Sequence, residues 1–72
     1  MAEMKLKPKE SFEHTHSKVS YSILRQGEGI LKTGGKVIKM VKDKKYKIPG
    51  GQSHTIMNNS PDDILISCVS CG

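Results

Sequence analysis

Three histidines, His14, His16 and His54, are the residues of this 72-residue chain best suited to chemistry. His14 and His16 stand two apart in "EHTH". In an extended strand, residues i and i+2 point to the same face, with Cα atoms about 6.5–7 Å apart. Two imidazoles so placed can converge on one ion at about 2.0–2.1 Å from each nitrogen. His54 comes far along the chain and must arrive from a different strand. It follows "IPGGQ", where Pro49 stiffens the chain and Gly50 and Gly51 allow dihedrals that other residues resist. A ligand held by a stiff turn loses less freedom on binding. The chemistry these residues suit is coordination of one divalent transition metal. Imidazole suits Zn, Fe, Ni and Cu better than Mn, and ligand type alone does not choose among them. The alternative is a metal-free pocket lined by the same three rings.

The elements that must carry these rings read as strands throughout. In "KVSYSILRQ" (18–26), Val19, Tyr21 and Ile23 alternate at period two. Further strands are expected at 29–32, 36–41, 46–49, 53–58 and 64–70, with weaker signals at "MKLKP" and "FEHTH". Gly, Pro and Asn cluster between them as turns, and Pro49 ends its strand because it has no N–H to donate. Short strands at this spacing predict an all-β sandwich or small barrel. No repeat, linker or low-complexity tract interrupts residues 1–72, which read as a single domain.

Composition narrows the partners. Hydrophobic residues make up 35% and aromatics 4%, a thin core that calls for help from a metal or a second subunit. The net charge is +5, but there is one arginine among the basic residues and no interleaving of aromatics with lysines. Base-reading and single-strand binding use those features, so nucleic acid is not the expected partner. No apolar run reaches the ~18 residues of a membrane span, and the polar first ten residues do not read as a signal peptide. A cytoplasmic location is expected, where Cys68 and Cys71 would be thiols or metal ligands rather than a disulfide. Cys68 follows Ile64 and Ile66 at period two and reads as a small core residue. The run at 39–45 reads as a solvated hairpin whose lysines block edge pairing.

Two stretches together resemble the motifs of the cupin family. The first, in its family form G-x5-H-x-H-x3-4-E-x6-G, is matched by His14, His16 and Gly27. The second, G-x5-P-x-G-x2-H-x3-N, is matched by Pro49, Gly51, His54 and Asn58. The resemblance spans roughly residues 12–68. Three positions depart from it: Ser20 replaces the usual glutamate, and Pro8 and Asp43 stand where each motif opens on glycine.

The resemblance implies a small double-stranded β-helix, or jelly-roll, shorter than is usual for the family. It implies a metal site of His14, His16 and His54, and a structural role for Pro49, Gly51 and Asn58 in the second motif's turn and hairpin. Ser20 shares the parity of His14 and His16 and is expected inside the pocket, with Gln52 beside the His54 turn as a second pocket residue. Without the glutamate, the ion's charge is uncompensated by protein, which invites a small anionic ligand. Two functions fit: a metal-dependent enzyme of dioxygenase, isomerase or lyase type, or a non-catalytic module for a sugar or an anion. Cupins often share edge strands, so a homodimer is expected, with Tyr21 facing outward.

Overall fold

A computed structural model of the chain describes residues 2–69. Eight strands follow one another with no helix between them: β1 (Ala2–Leu6), β2 (Ser11–Thr15), β3 (Ser20–Gln26), β4 (Gly29–Thr33), β5 (Lys36–Lys39), β6 (Lys45–Ile48), β7 (Ser53–Asn58) and β8 (Ile64–Val69). The two strands with the weakest sequence signals, β1 and β2, are both present. The expected 36–41 strand ends at Lys39, and Met40 turns into the core at 5% exposure. Among the described residues no helix is long and apolar enough to cross a membrane.

The pairing is nested. β1 pairs with β8, β2 with β7, β3 with β6 and β4 with β5, all antiparallel. A chain folded back on itself at the β4–β5 hairpin and then rolled gives this pattern, the jelly-roll. Pairs β3·β8 and β4·β7 complete two four-stranded sheets, ordered β1-β8-β3-β6 and β2-β7-β4-β5. The fold is therefore the small all-β double-stranded β-helix that the sequence implied.

Alternation places the core between the sheets. Leu6, Leu24, Ile48, Ile64 and Ile66 project inward from the first sheet, and Leu31 and Ile56 from the second, each at most 4% exposed. Lys5, Lys45 and Lys47 alternate with them and face solvent. Tyr21 lies on this outer face half-buried, with Lys45 Nζ 5.3 Å from its ring.

Two turns take left-handed backbone without glycine. Asp43, at the position where the second motif opens on glycine, has φ 66°, and its N–H donates to Leu24 O at 2.8 Å. Lys9, next to Pro8, has φ 66° as well. Asp is among the few residues that tolerate this region. The glycine of the motif position thus corresponds to a dihedral requirement that the chain meets with Asp43.

Candidate functional site

The nested pairing brings the histidines together. β2 and β7 are partners, and in their register His14 stands directly opposite His54. His16 lies just past the end of β2, where the chain begins its crossing to the other sheet. The ring centroids of His14 and His16 are 4.2 Å apart, of His16 and His54 5.3 Å, and of His14 and His54 6.4 Å.

The "PGGQ" turn fixes this arrangement. Gln52 N–H donates to Pro49 O at 3.3 Å, and Gly51 has φ 78°, the left-handed value that the third residue of a type II turn requires. Gly51 N–H donates to His16 O at 2.7 Å, tying the turn to the main chain of the first histidine pair. Gly50 packs so closely on Ser17 and Lys18 that a Cβ there would lie 2.8 Å from Ser17 O. Gln52 Nε2 donates to Thr33 Oγ1 at 2.6 Å, and Thr33 Oγ1 donates to Ser53 O at 3.1 Å. The start of β7 is thereby pinned to β4, one residue before His54.

Asn58, at the far end of β7, is 1% exposed and ties the opposite side of the barrel together. Its Nδ2 donates to Leu6 O at 2.9 Å and to Asp62 O at 2.8 Å, and its Oδ1 accepts from Ser60 N–H at 2.8 Å. Its main chain is bonded to Lys9 and Glu10.

The three histidines border a cavity of about 160 Å³ between the sheets. Its wall is built in two layers that the strand registers define. The outer layer holds His14 and His54 across from one another, with Ala2, Cys68 and Ser22 aligned on the facing sheet. The inner layer holds Phe12 opposite Ile56, and Met4 opposite Ile66. The mouth lies beside the exposed residues Ala2, Glu3 and His14.

Ser20 and Gln52 do not line this cavity. Ser20 is interior, 0% exposed, but it lies beside Ile48 at the start of β3, and its Oγ has no hydrogen-bond partner. The chain changes sheets between His16 and Ser20, so parity counted along the sequence brings Ser20 inside without bringing it to the histidine layer. Ser22, one pleat further, reaches the cavity instead. Gln52 is engaged with Thr33. Phe12 and Glu3 were missed: Phe12 sets its ring 5.5 Å from that of His14, and Glu3 borders the mouth from β1. The alternation Phe12–His14 signals the first of these; the second depends on the β1·β8 pairing.

Cys68 is half-buried at the cavity wall, with Sγ 3.9 Å from His16 Nε2. It is disulfide-bonded, so the expectation of a thiol fails for this residue, and with it the expectation of a plain core position. Cys71 lies outside the described residues.

The nitrogens can be tested for fit to an ion. His14 Nδ1 and His16 Nε2 are 3.2 Å apart. Two nitrogens on one ion, each about 2.0–2.1 Å away at a near-tetrahedral angle, lie about 3.3 Å apart. The same distance is that of an N–H···N hydrogen bond, and as the rings stand one imidazole donates to the other. His16 Nδ1 and His54 Nδ1 are buried with no hydrogen-bond partner. As the rings stand, however, no group of three or more His, Cys, Asp or Glu side chains among the described residues is arranged to hold a metal. The three imidazoles are neighbours around the cavity, and an ion would have to replace the His14–His16 hydrogen bond to be held by them. Burial, then the neighbouring His16 and His14, holds the His54 pKa below the ordinary imidazole value. His54 is thus kept neutral, the form that ligates.

No family model matches the sequence, and no curated protein matches it. Solved structures do match the fold. A Thermotoga maritima protein described as a predicted oxalate decarboxylase is 28% identical with a TM-score of 0.83, over 93% of this chain and 60% of that one. The cupin domain of an XRE-family transcriptional regulator from Enterobacter cloacae is 19% identical with a TM-score of 0.82, over 92% of this chain and 73% of that one. A de novo designed double-stranded β-helix is 16% identical with a TM-score of 0.79, and each chain covers 94% of the other. The Thermotoga protein is the longer partner, since this chain spans 60% of its length.

Proposed function

We propose that this chain, a small cupin by fold, binds one divalent transition metal through His14, His16 and His54 and presents it to a small ligand in the adjoining cavity. The observation that carries the reading is the gathering of all three rings at one cavity, with His54 opposite His14 in register and ring centroids 4.2, 5.3 and 6.4 Å apart. The unpartnered, buried Nδ1 of His54 adds to it, because an imidazole nitrogen left unbonded in the interior costs about 1–3 kcal/mol. Bound there, an ion would act as a Lewis acid toward an anionic ligand. The chain's own residues supply the rest. The turn holds His16 and His54 in place, Phe12 packs against the His14 ring, and the apolar inner layer keeps the site from filling with solvated charge.

Ser20 offers no carboxylate to balance the ion, and the only acidic side chain at the cavity among the described residues is Glu3 at its mouth. That arrangement favours ligand binding over proton-transfer chemistry. The oxalate activity in the description of the Thermotoga protein is not carried over, because an apolar layer lies beneath the histidines of this chain.

The test is metal content per chain by plasma mass spectrometry after loading with Zn, Fe, Ni, Cu or Mn, with His54→Ala and His14→Ala controls. One equivalent of a single ion, lost in both controls, is expected. A wild-type protein that retains no ion after loading with each would overturn the reading.

A further inference from the structure

Carbon and sulfur dominate the wall of the cavity behind the histidines. Phe12 and Ile56 reach it from one sheet, Met4 and Ile66 from the other. Ile56 and Ile66 are each 1% exposed and belong to the core, and Met4 and Phe12 pack against it. None of these four side chains has a donor to offer, and the Met4 thioether is only a weak acceptor. A buried water needs about two to four polar partners, which this layer does not supply.

Charge fares no better than water. Among the described residues that line the cavity, Glu3 is the one carboxylate, it is exposed at the mouth, and no lysine or arginine is present. An anion meets that carboxylate on entry and finds no fixed positive charge within. A cation would exchange its hydration shell for hydrocarbon. What the inner layer can hold is therefore neutral.

Its shape follows from the wall and the volume. The Phe12 and His14 rings border the cavity 5.5 Å apart and tilted by 57°, and the sulfur atoms of Met4 and Cys68 belong to residues of the same wall. Aromatic rings attract one another in offset or edge-to-face arrangements at centroid separations of about 4.5–7 Å. Sulfur packs favourably on ring edges. The cavity measures about 160 Å³. An engineered interior cavity of about 150 Å³, lined by Leu, Ile and Phe, stays dry and takes up benzene or xenon. A single six-membered ring is thus the size that fits.

We infer that the inner layer is a binding site for one small neutral aromatic ring, held between Phe12 and Ile56 on one side and Met4 and Ile66 on the other. The inference goes beyond the metal reading and does not rest on it, since neither an ion nor a charged group on the ligand is required.

The experiment titrates benzene, toluene and benzoate into the whole chain, stripped of metal with a chelator, at pH about 8, where ordinary imidazoles are neutral. The readout is the side-chain methyl resonances of Met4, Ile56 and Ile66, which a bound ring displaces through its ring current. Saturable shifts of all three are expected with benzene and with toluene, at a dissociation constant of about a millimolar or below. Benzoate is expected to bind at least tenfold more weakly, because its carboxylate would lie beside Glu3 or in hydrocarbon. Ala2→Phe is expected to weaken benzene binding at least tenfold. Ala2 is exposed at the mouth, on edge strand β1, and shares the inward parity of Met4, so a phenyl group there enters the cavity without displacing the core. Xenon, read on the same three methyls, is a second probe that needs the cavity but not a ring. No saturable shift with benzene, shifts confined to other residues, or benzoate binding as tightly as benzene would overturn the inference. Undiminished benzene binding in Ala2→Phe would overturn it as well, by placing the ring elsewhere. Xenon binding without benzene binding would leave an apolar cavity of the wrong shape for a ring and overturn it too.

Discussion

Replacing Gly50 with alanine isolates the contact that aims the histidines. A Cβ at Gly50 would lie 2.8 Å from Ser17 O, 3.0 Å from Lys18 Cα and 3.1 Å from Lys18 C. All three are main-chain atoms, so none can rotate aside. Ordinary contact begins at 3.4 Å, so the turn and residues 17–18 must part by as much as 0.6 Å (3.4 − 2.8). Ser17 follows His16 directly, and the His16 carbonyl is bonded to Gly51 N–H at 2.7 Å, so the strain reaches the site. Overpacking of this kind costs about 1–3 kcal/mol. In a domain of 60–100 residues Tm moves about 4–8 °C per kcal/mol, which gives a fall of about 4–24 °C. Binding geometry must hold to within about 0.5 Å, so Zn affinity is expected to drop at least tenfold. Gly51→Ala is the control. Its Cβ would meet nothing within 4 Å, but φ is 78°, which costs a side-chain-bearing residue about 1–2 kcal/mol without forcing the segments apart. Thermal unfolding by circular dichroism and Zn titration on both variants separate the two effects. Both should be less stable, and Gly50→Ala should lose far more Zn affinity. Wild-type stability and affinity in Gly50→Ala would refute the reasoning, as would equal losses of affinity in both.

Two further outcomes follow from the geometry. Asn58→Ala removes three side-chain hydrogen bonds, those to Leu6 and Ser60 buried and that to Asp62 partly so, and should destabilise the domain by about 3 kcal/mol, measured by urea unfolding; a loss below about 1 kcal/mol would show that the bonds are replaced by solvent. His54 has its pKa lowered by burial and by His16 and His14, so the unfolded chain takes up its proton first. Stability of the metal-free protein should be level with respect to this group above pH about 6.5 and fall as pH drops from there toward the lowered folded value, by at most about 1.4 kcal/mol per pH unit. The same slope persisting in His54→Leu would assign it to another group.

The sequence showed the strands more clearly than it showed the pocket, for a physical reason. Period-two alternation and turn residues are local signals, and β3 to β8 can be read from them. The Asp43 and Lys9 turns are harder, because left-handed φ leaves its usual mark as glycine and neither residue is one. Pairing is a longer-range property. That His14 would meet His54 follows from the nested order, in which the second strand pairs with the seventh, and the motif spacing already carried that information. The layer beneath the histidines was not legible, since it is assembled from β1, β2, β7 and β8 by register.

Ser20 and Ser22 show where reasoning by parity stops. Both serines are buried on β3, at 0% and 1% exposure, and both share the inward parity that the sequence assigns to Ser20. Parity names a face, but it does not name a level along the barrel. The level comes from the partners: Ser20 stands opposite Ile48, and Ser22 opposite Cys68. A shift of one pleat, about 6.5–7 Å, therefore decides which hydroxyl borders the cavity. The hydroxyl at the motif position is left buried and unbonded, a destabilising feature with no compensating contact among the described residues. The hydroxyl that the motif does not mark takes its place in the histidine layer. The make-up of the cavity wall is thus set by which residues the register brings level with His14 and His54, and the inward residues of β1 and β8 contribute to it along with the two histidine strands.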